Sequence, residues 1–205
     1  MLRDRYDDRI EPHDDGSVTV TLRRPLLGAA FLTISRPTWD DVLVQSKVSG
    51  DELDKAGWLI ARMAGVEVKA FDDVDGGDAL LLAEIMGGMF DRLPDPDRPR
   101  HEGDLLVRHA ERIHADEDGS TLTLLRAIDT KDGETDSITV RRPSYREVKA
   151  HRNAGMGDLA AAGKLLAVLS GIGPLQLGKV DALDAFILVE MVQDFLGQSP
   201  RTSAR

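Results

Sequence analysis

The stretch RPTWDDV at residues 36–42 returns as RPSYREV at residues 142–148. Each opens on Arg-Pro, continues with a hydroxyl residue and an aromatic, and reaches an acid just before Val42 or Val148. Working outward, residues 36–90 fall on 142–196 at a constant spacing of 106, without a gap. The copied positions include Leu53 on Leu159, Ala56 and Gly57 on Ala162 and Gly163, and Leu59 on Leu165. They continue with Gly65 on Gly171, Val74 and Asp75 on Val180 and Asp181, Asp78 on Asp184, and Leu82 on Leu188. The 55 aligned positions hold 15 identities, where chance pairing at about one in fifteen gives roughly four. Upstream, Arg9, Ile10 and Asp15–Ser17 match Arg112, Ile113 and Asp118–Ser120 at a spacing of 103, which predicts three extra residues between the paired strands of the second copy. A unit of roughly a hundred residues is domain-sized, longer than a solenoid repeat. The sequence reads as a tandem duplication of a small domain.

The chain has 205 residues, enough for two modest cores. Cysteine is absent, which removes disulfides, thiolate metal sites and cysteine nucleophiles, and fits a reducing cytoplasm. No apolar run reaches membrane-spanning length, and the opening MLRDRYDDRI has no signal-peptide core. The net charge of −10 repels phosphate backbones, so nucleic-acid binding is not expected, and aromatics at 4% argue against a base-stacking surface; no membrane partner is expected either.

Each copy begins with two alternating runs: Val18–Leu22 with Phe31–Ile34, then Thr121–Leu125 with Ile138–Val140. Turn residues between them (Gly28; Asp132 and Gly133) predict β-hairpins, and Arg-Pro closes each second strand because proline cannot extend the ladder. Ser144 with Glu147, and Thr38 with Asp41, are spaced as capping boxes that start a helix. A second helix is predicted over 51–64 and 158–170, stopped by Gly65 or Gly171. A third begins near Gly77 and near Asp181 and is apolar on more than one stripe. The fold class is therefore α+β: two tandem copies of a β-hairpin followed by about three helices. The predicted boundaries are 1–92 for the first repeat, 93–103 for a Pro-rich linker, 104–197 for the second repeat and 198–205 for a disordered tail. Isolated hairpins are marginal in water, so each is expected to lie on its own helices, the other option being a joint four-stranded sheet.

Chemistry is sparsely signalled. Asp73, Asp75, Gly77 and Glu84 have partial calcium-loop spacing, but Asp78 stands where that loop needs glycine, and the second copy loses the acids. Acids at a helix start explain the same residues. Gly171-Ile-Gly173 follows a helix, where a dinucleotide loop must follow a strand. The histidines (13, 101, 109, 114, 151) show no zinc-protease spacing, and no nucleophile elbow occurs. The residues shared by the copies are mostly Gly, Pro, Ala, Leu and Val. The expectation is a non-enzymatic protein with no catalytic residue, metal or cofactor.

The segments SVTVTLRRPL, LTISRPTWDDVL, LIARMAGV and ALLLAEIMGGMF, with their counterparts STLTLLRAI, ITVRRPSYREV, LLAVLSGIGP and AFILVEMVQDFL, carry a resemblance. In this order they resemble the tail assembly chaperones of Mu-like phages, the tail protein E family. Two departures stand out: the family usually has one unit, and its Gly-Leu-Pro helix stop survives near Gly171–Pro174 but reads Gly65-Val-Glu-Val68 in the first copy. The resemblance implies a bacteriophage or prophage protein of the host bacterial cytoplasm that binds helical segments of the tape measure protein before tail tube polymerisation. The alternative is a structural tail or baseplate adaptor retained in the virion. The apolar surplus of the third helices, at Leu81, Ile85, Met89, Ile187, Met191 and Phe195, is the expected partner-binding surface, with self-association as a further option. The competing reading is that these faces pack within their own units.

Overall fold

The computed structural model describes residues 7–91, 105–150 and 159–196. The predicted linker 93–103 and tail 198–205 lie outside the described residues. The chain divides into two compact units, one of 1–37 with 44–93 and the other of 38–43 with 94–205. The changeover at 93/94 lies beside the expected boundary at residue 92, while Thr38–Leu43 groups with the second unit.

In the first unit, a 3₁₀ turn at Asp7–Arg9 leads into β1 (Ile10–Pro12), β2 (Val18–Leu26) and β3 (Ala29–Ile34), paired antiparallel in that order. The second unit opens with a short helix at Leu105–Arg108 and a 3₁₀ turn at Ala110–Arg112. It then forms β4 (Ile113–Ala115), β5 (Gly119–Thr130) and β6 (Gly133–Arg141) in the same antiparallel order. Each sheet thus has three strands where two were expected. The added strand spans only three residues, too short for alternation to reveal it. Val20 pairs with Leu32 and Leu122 with Ile138, so the second hairpin is four residues longer, where the sequence offset predicted three. The difference arises upstream, where the paired residues Ile113 and Leu122 stand one position closer in sequence than Ile10 and Val20. The sheets stay separate.

The helices follow the same order twice. Taking the helices from the first sheet onward, α1 (Trp39–Gln45), α2 (Glu52–Met63), α3 (Val68–Phe71) and α4 (Gly76–Met89) are succeeded by α5 (Leu105–Arg108), already met, and then by α6 (Tyr145–Ala150), α7 (Leu159–Ser170), α8 (Pro174–Leu177) and α9 (Ala182–Phe195). The short α3 and α8 were not foreseen. Asp51 caps α2 by accepting from the amides of Leu53 and Asp54, while Asp54 returns the contact to the Asp51 amide. After α2 and α7 the backbone turns left-handed at Gly65 (φ 67°) and Gly171 (φ 71°), a region where a Cβ is unfavourable.

Each sheet lies on helices of its own unit. In the first, α4 packs on β2 and α2 on β3; in the second, α9 packs on β5 and β6 and α7 on β6. Val20, Leu22 and Ile34 are buried accordingly, as are Leu122, Ile138 and Val140. Alternation places every second side chain on the helix side, and this burial is what stabilises strands that would be marginal alone.

Candidate functional site

The third helices, α4 and α9, are core. Leu81, Ile85, Met89, Ile187 and Met191 are all buried, and Phe195 is half-covered, with the Arg142 guanidinium 5.1 Å above its ring. The expected partner-binding surface thus falls on side chains that the chain already covers, Phe195 only in part. The surplus stripe that looked unpartnered is used by the sheet on one side and neighbouring helices on the other. Amphipathic spacing measures how many faces are apolar, and leaves open whether the chain itself covers them.

The first turn of each core helix holds a buried carboxylate. Asp78 accepts from the Arg9 guanidinium and, at 2.7 Å, from the amide of Arg23. Asp184 accepts from Arg112 and, at 2.7 Å, from the amide of Leu125. Both amides lie within the register shift of their strand, where the ladder leaves donors unpaired. The arginines also donate to strand carbonyls, Arg9 to Thr21 and Arg112 to Thr123. One ion pair per unit thus ties the 3₁₀ turn, the bulged strand and the helix start together. Burial pushes the Asp184 carboxyl above the usual aspartate range, opposed by its bonds to Arg112 and the Leu125 amide. The signal for these pairs was present in the sequence, since Arg9/Arg112 and Asp78/Asp184 are matched charged positions.

The segment Thr38–Leu43 fills a groove in the second unit. Trp39 is 2% exposed, its ring edge-on to Phe186 at a centroid distance of 5.7 Å. Its amide donates to the Val180 carbonyl at 2.9 Å, the Asp40 amide donates to Gly178 at 3.0 Å, and Thr38 bridges to Asp181. A Cβ at Gly163 would stand 3.0 Å from the indole nitrogen, so glycine there admits the ring. The Asp40 carboxylate occupies the space a side chain at Gly178 would need. The groove grips a helix start by one aromatic anchor and two backbone hydrogen bonds. No sequence signal marks Trp39 for this role, because the repeat offset assigns it to the first copy.

Residues considered for other chemistry are dispersed. Asp75 caps α4 by accepting from the Gly77 amide at 3.0 Å, and no group of acids or histidines able to hold a metal occurs among the described residues. Gly171 and Gly173 border an open cleft of about 630 Å³, lined also by the β5–β6 turn at Thr130–Glu134 and by Gln176. Ser144 and Glu147 form the expected cap, and Glu147 also pairs with Arg141. That Arg141 bond, reinforced by the Ser144 amide and hydroxyl, holds the Glu147 carboxyl below the usual glutamate range. No described helix is long and apolar enough to cross a membrane. Comparison of the chain with protein families, curated proteins and solved structures finds no match.

Proposed function

We propose that this chain is a bacteriophage or prophage tail assembly chaperone, a tandem duplication of its unit, that binds helical segments of the tape measure protein in the host cytoplasm. The observation that carries the reading is the groove of the second unit, which holds the start of a helix through the Trp39 ring and the carbonyls of Val180 and Gly178. A scaffold that seats one helix start is suited to chaperoning a long helical protein. The acidic balance of −10 favours keeping such a complex in solution. With the third helices committed to the cores, we assign the partner contacts to apolar side chains exposed on other helices: Val68 in the first unit, Val168 and Leu175 in the second.

Co-expression with a tape measure protein encoded beside this chain, followed by pull-down, tests the reading. The tape measure protein should become soluble and co-purify. Val168→Asp combined with Leu175→Asp should reduce capture roughly tenfold or more while the chain stays folded. A tape measure protein that stays insoluble beside the wild-type chain overturns the proposal. Recovery of the chain in mature particles would instead make it a structural adaptor.

A further inference from the structure

The groove occupied by Thr38–Leu43 has a counterpart in the first unit, 106 positions earlier, and its exposure there is very different. Val180, Asp181 and Ala182 are fully buried, whereas Val74 and Asp75 are half-buried and Gly76 is exposed. Phe186 lies under the Trp39 edge, while its counterpart Leu80 is 70% exposed. Leu159 is packed against the second core, and its counterpart Leu53 stands in solvent. Gly57 matches Gly163, yet the nearest atom to a Cβ at Gly57 is a Phe71 ring carbon at 3.8 Å. At Gly57 the neighbouring ring is the unit's own Phe71, and no anchor from a separate segment takes the place that Trp39 holds beside Gly163.

The missing plug is present elsewhere in the sequence. The counterpart of Thr38–Leu43 is 144–149, the start of α6. Tyr145, which matches Trp39, is 82% exposed, and no residue of α6 is buried. Both segments carry the same cap, with Thr38 and Asp41 matched by Ser144 and Glu147. The charges agree as well, with inverted sign. Asp40 lies over Gly178, next to Lys179; the counterpart of Asp40 is Arg146, and those of Gly178 and Lys179 are Asp72 and Asp73. An acid faces a basic neighbour in the filled groove, and a base would face two acids in the open one.

We propose that the start of α6 in one copy of this chain docks into the first-unit groove of a second copy, as Thr38–Leu43 fills the second unit. Tyr145 then covers Leu80 beside the Phe71 ring that borders Gly57, and the amides of Tyr145 and Arg146 donate to the carbonyls of Val74 and Asp72. A second copy is the occupant because the chain carries both halves of the contact, the exposed Tyr145 with Arg146 as the plug and Leu80 with Asp72 and Asp73 of opposite charge as its socket. The contact uses different surfaces on the two partners, so association runs head to tail and ends in rings or open filaments.

Sedimentation of the full chain over a range of concentrations tests this. The average mass should rise above the 22.4 kDa of one chain as concentration increases. Tyr145→Ala should weaken association at least ~10-fold, the loss typical of an aromatic anchor, with an unchanged melting temperature. Arg146→Asp should weaken it too, and adding Asp72→Arg with Asp73→Arg should restore it. Chains carrying Tyr145→Ala and chains carrying Leu80→Asp should each stay monomeric alone and form a one-to-one complex when mixed. A wild-type chain that stays at 22.4 kDa throughout, self-association indifferent to Tyr145→Ala, or a failed mixing experiment overturns the proposal. Failure of the tape measure pull-down leaves this association untouched.

Discussion

Arg112 and Asp184 illustrate how a buried pair depends on both partners. The carboxylate is fully buried and the guanidinium nearly so, so removing the acid alone leaves an uncompensated charge. Asp184→Ala should therefore cost roughly 3 kcal/mol or more in urea unfolding, and replacing both residues by apolar ones of similar size should cost less. Carbon-detected NMR should place the titration of Asp184 above the usual aspartate range and that of Glu147 below the usual glutamate range. Asp184 is raised, so the folded state binds its proton more readily; its contribution favours folding at low pH and declines as pH rises through the folded value. Glu147 is lowered, so its contribution is present above the usual glutamate range and is lost as pH falls through the folded value. The paired glycines offer a second contrast. Gly57→Ala meets nothing closer than 3.8 Å and should gain about 0.5–1 kcal/mol of helix propensity. Gly163→Ala, pressed against the buried Trp39 ring, should show no such gain in thermal melts and should lower stability.

At the scale of elements, local signals worked wherever the stabilising groups were near in sequence. Capping boxes placed the starts of α1 and α6, and left-handed glycines placed the ends of α2 and α7. The strand pattern of Val18–Leu22 and Thr121–Leu125 was legible because alternate residues face a helix layer. The helices α4 and α9 were recognised, but their surplus apolar residues were assigned to a partner and are core. Ile85→Asp and Ile187→Asp should accordingly unfold their units, each placing an unpaired charge in a buried apolar position. Loss of the cooperative thermal transition in either variant would show this, and a folded variant would return these residues to the surface.

For the whole molecule, the consequence is that repeat boundaries and compact units differ. Trp39 lies in the first repeat by sequence, yet it belongs to the core built by α7, α9 and the second sheet. Trp39→Ala should cost about 3–5 kcal/mol, as for other buried large side chains. Hydrogen exchange should locate the lost protection in α7 and α9, more than a hundred residues downstream. Protection lost around α2 and α4 instead would contradict the assignment.

Pattern along the chain was enough for two strands and three helices in each half, for the caps that bound the helices, and for the matched positions of the arginine–aspartate pairs. These depend on periodicity, backbone preference and neighbours a few residues away, all of which a linear string carries. Tertiary structure alone decided that three-residue strands extend each sheet, that the third helices are covered, and that Thr38–Leu43 fills the second unit. Matched sequences specify matched local conformations, but which core an aromatic enters depends on burial between residues distant along the chain. Trp39 and Tyr145 hold the same position in the repeat, and only packing separates the buried ring from the exposed one.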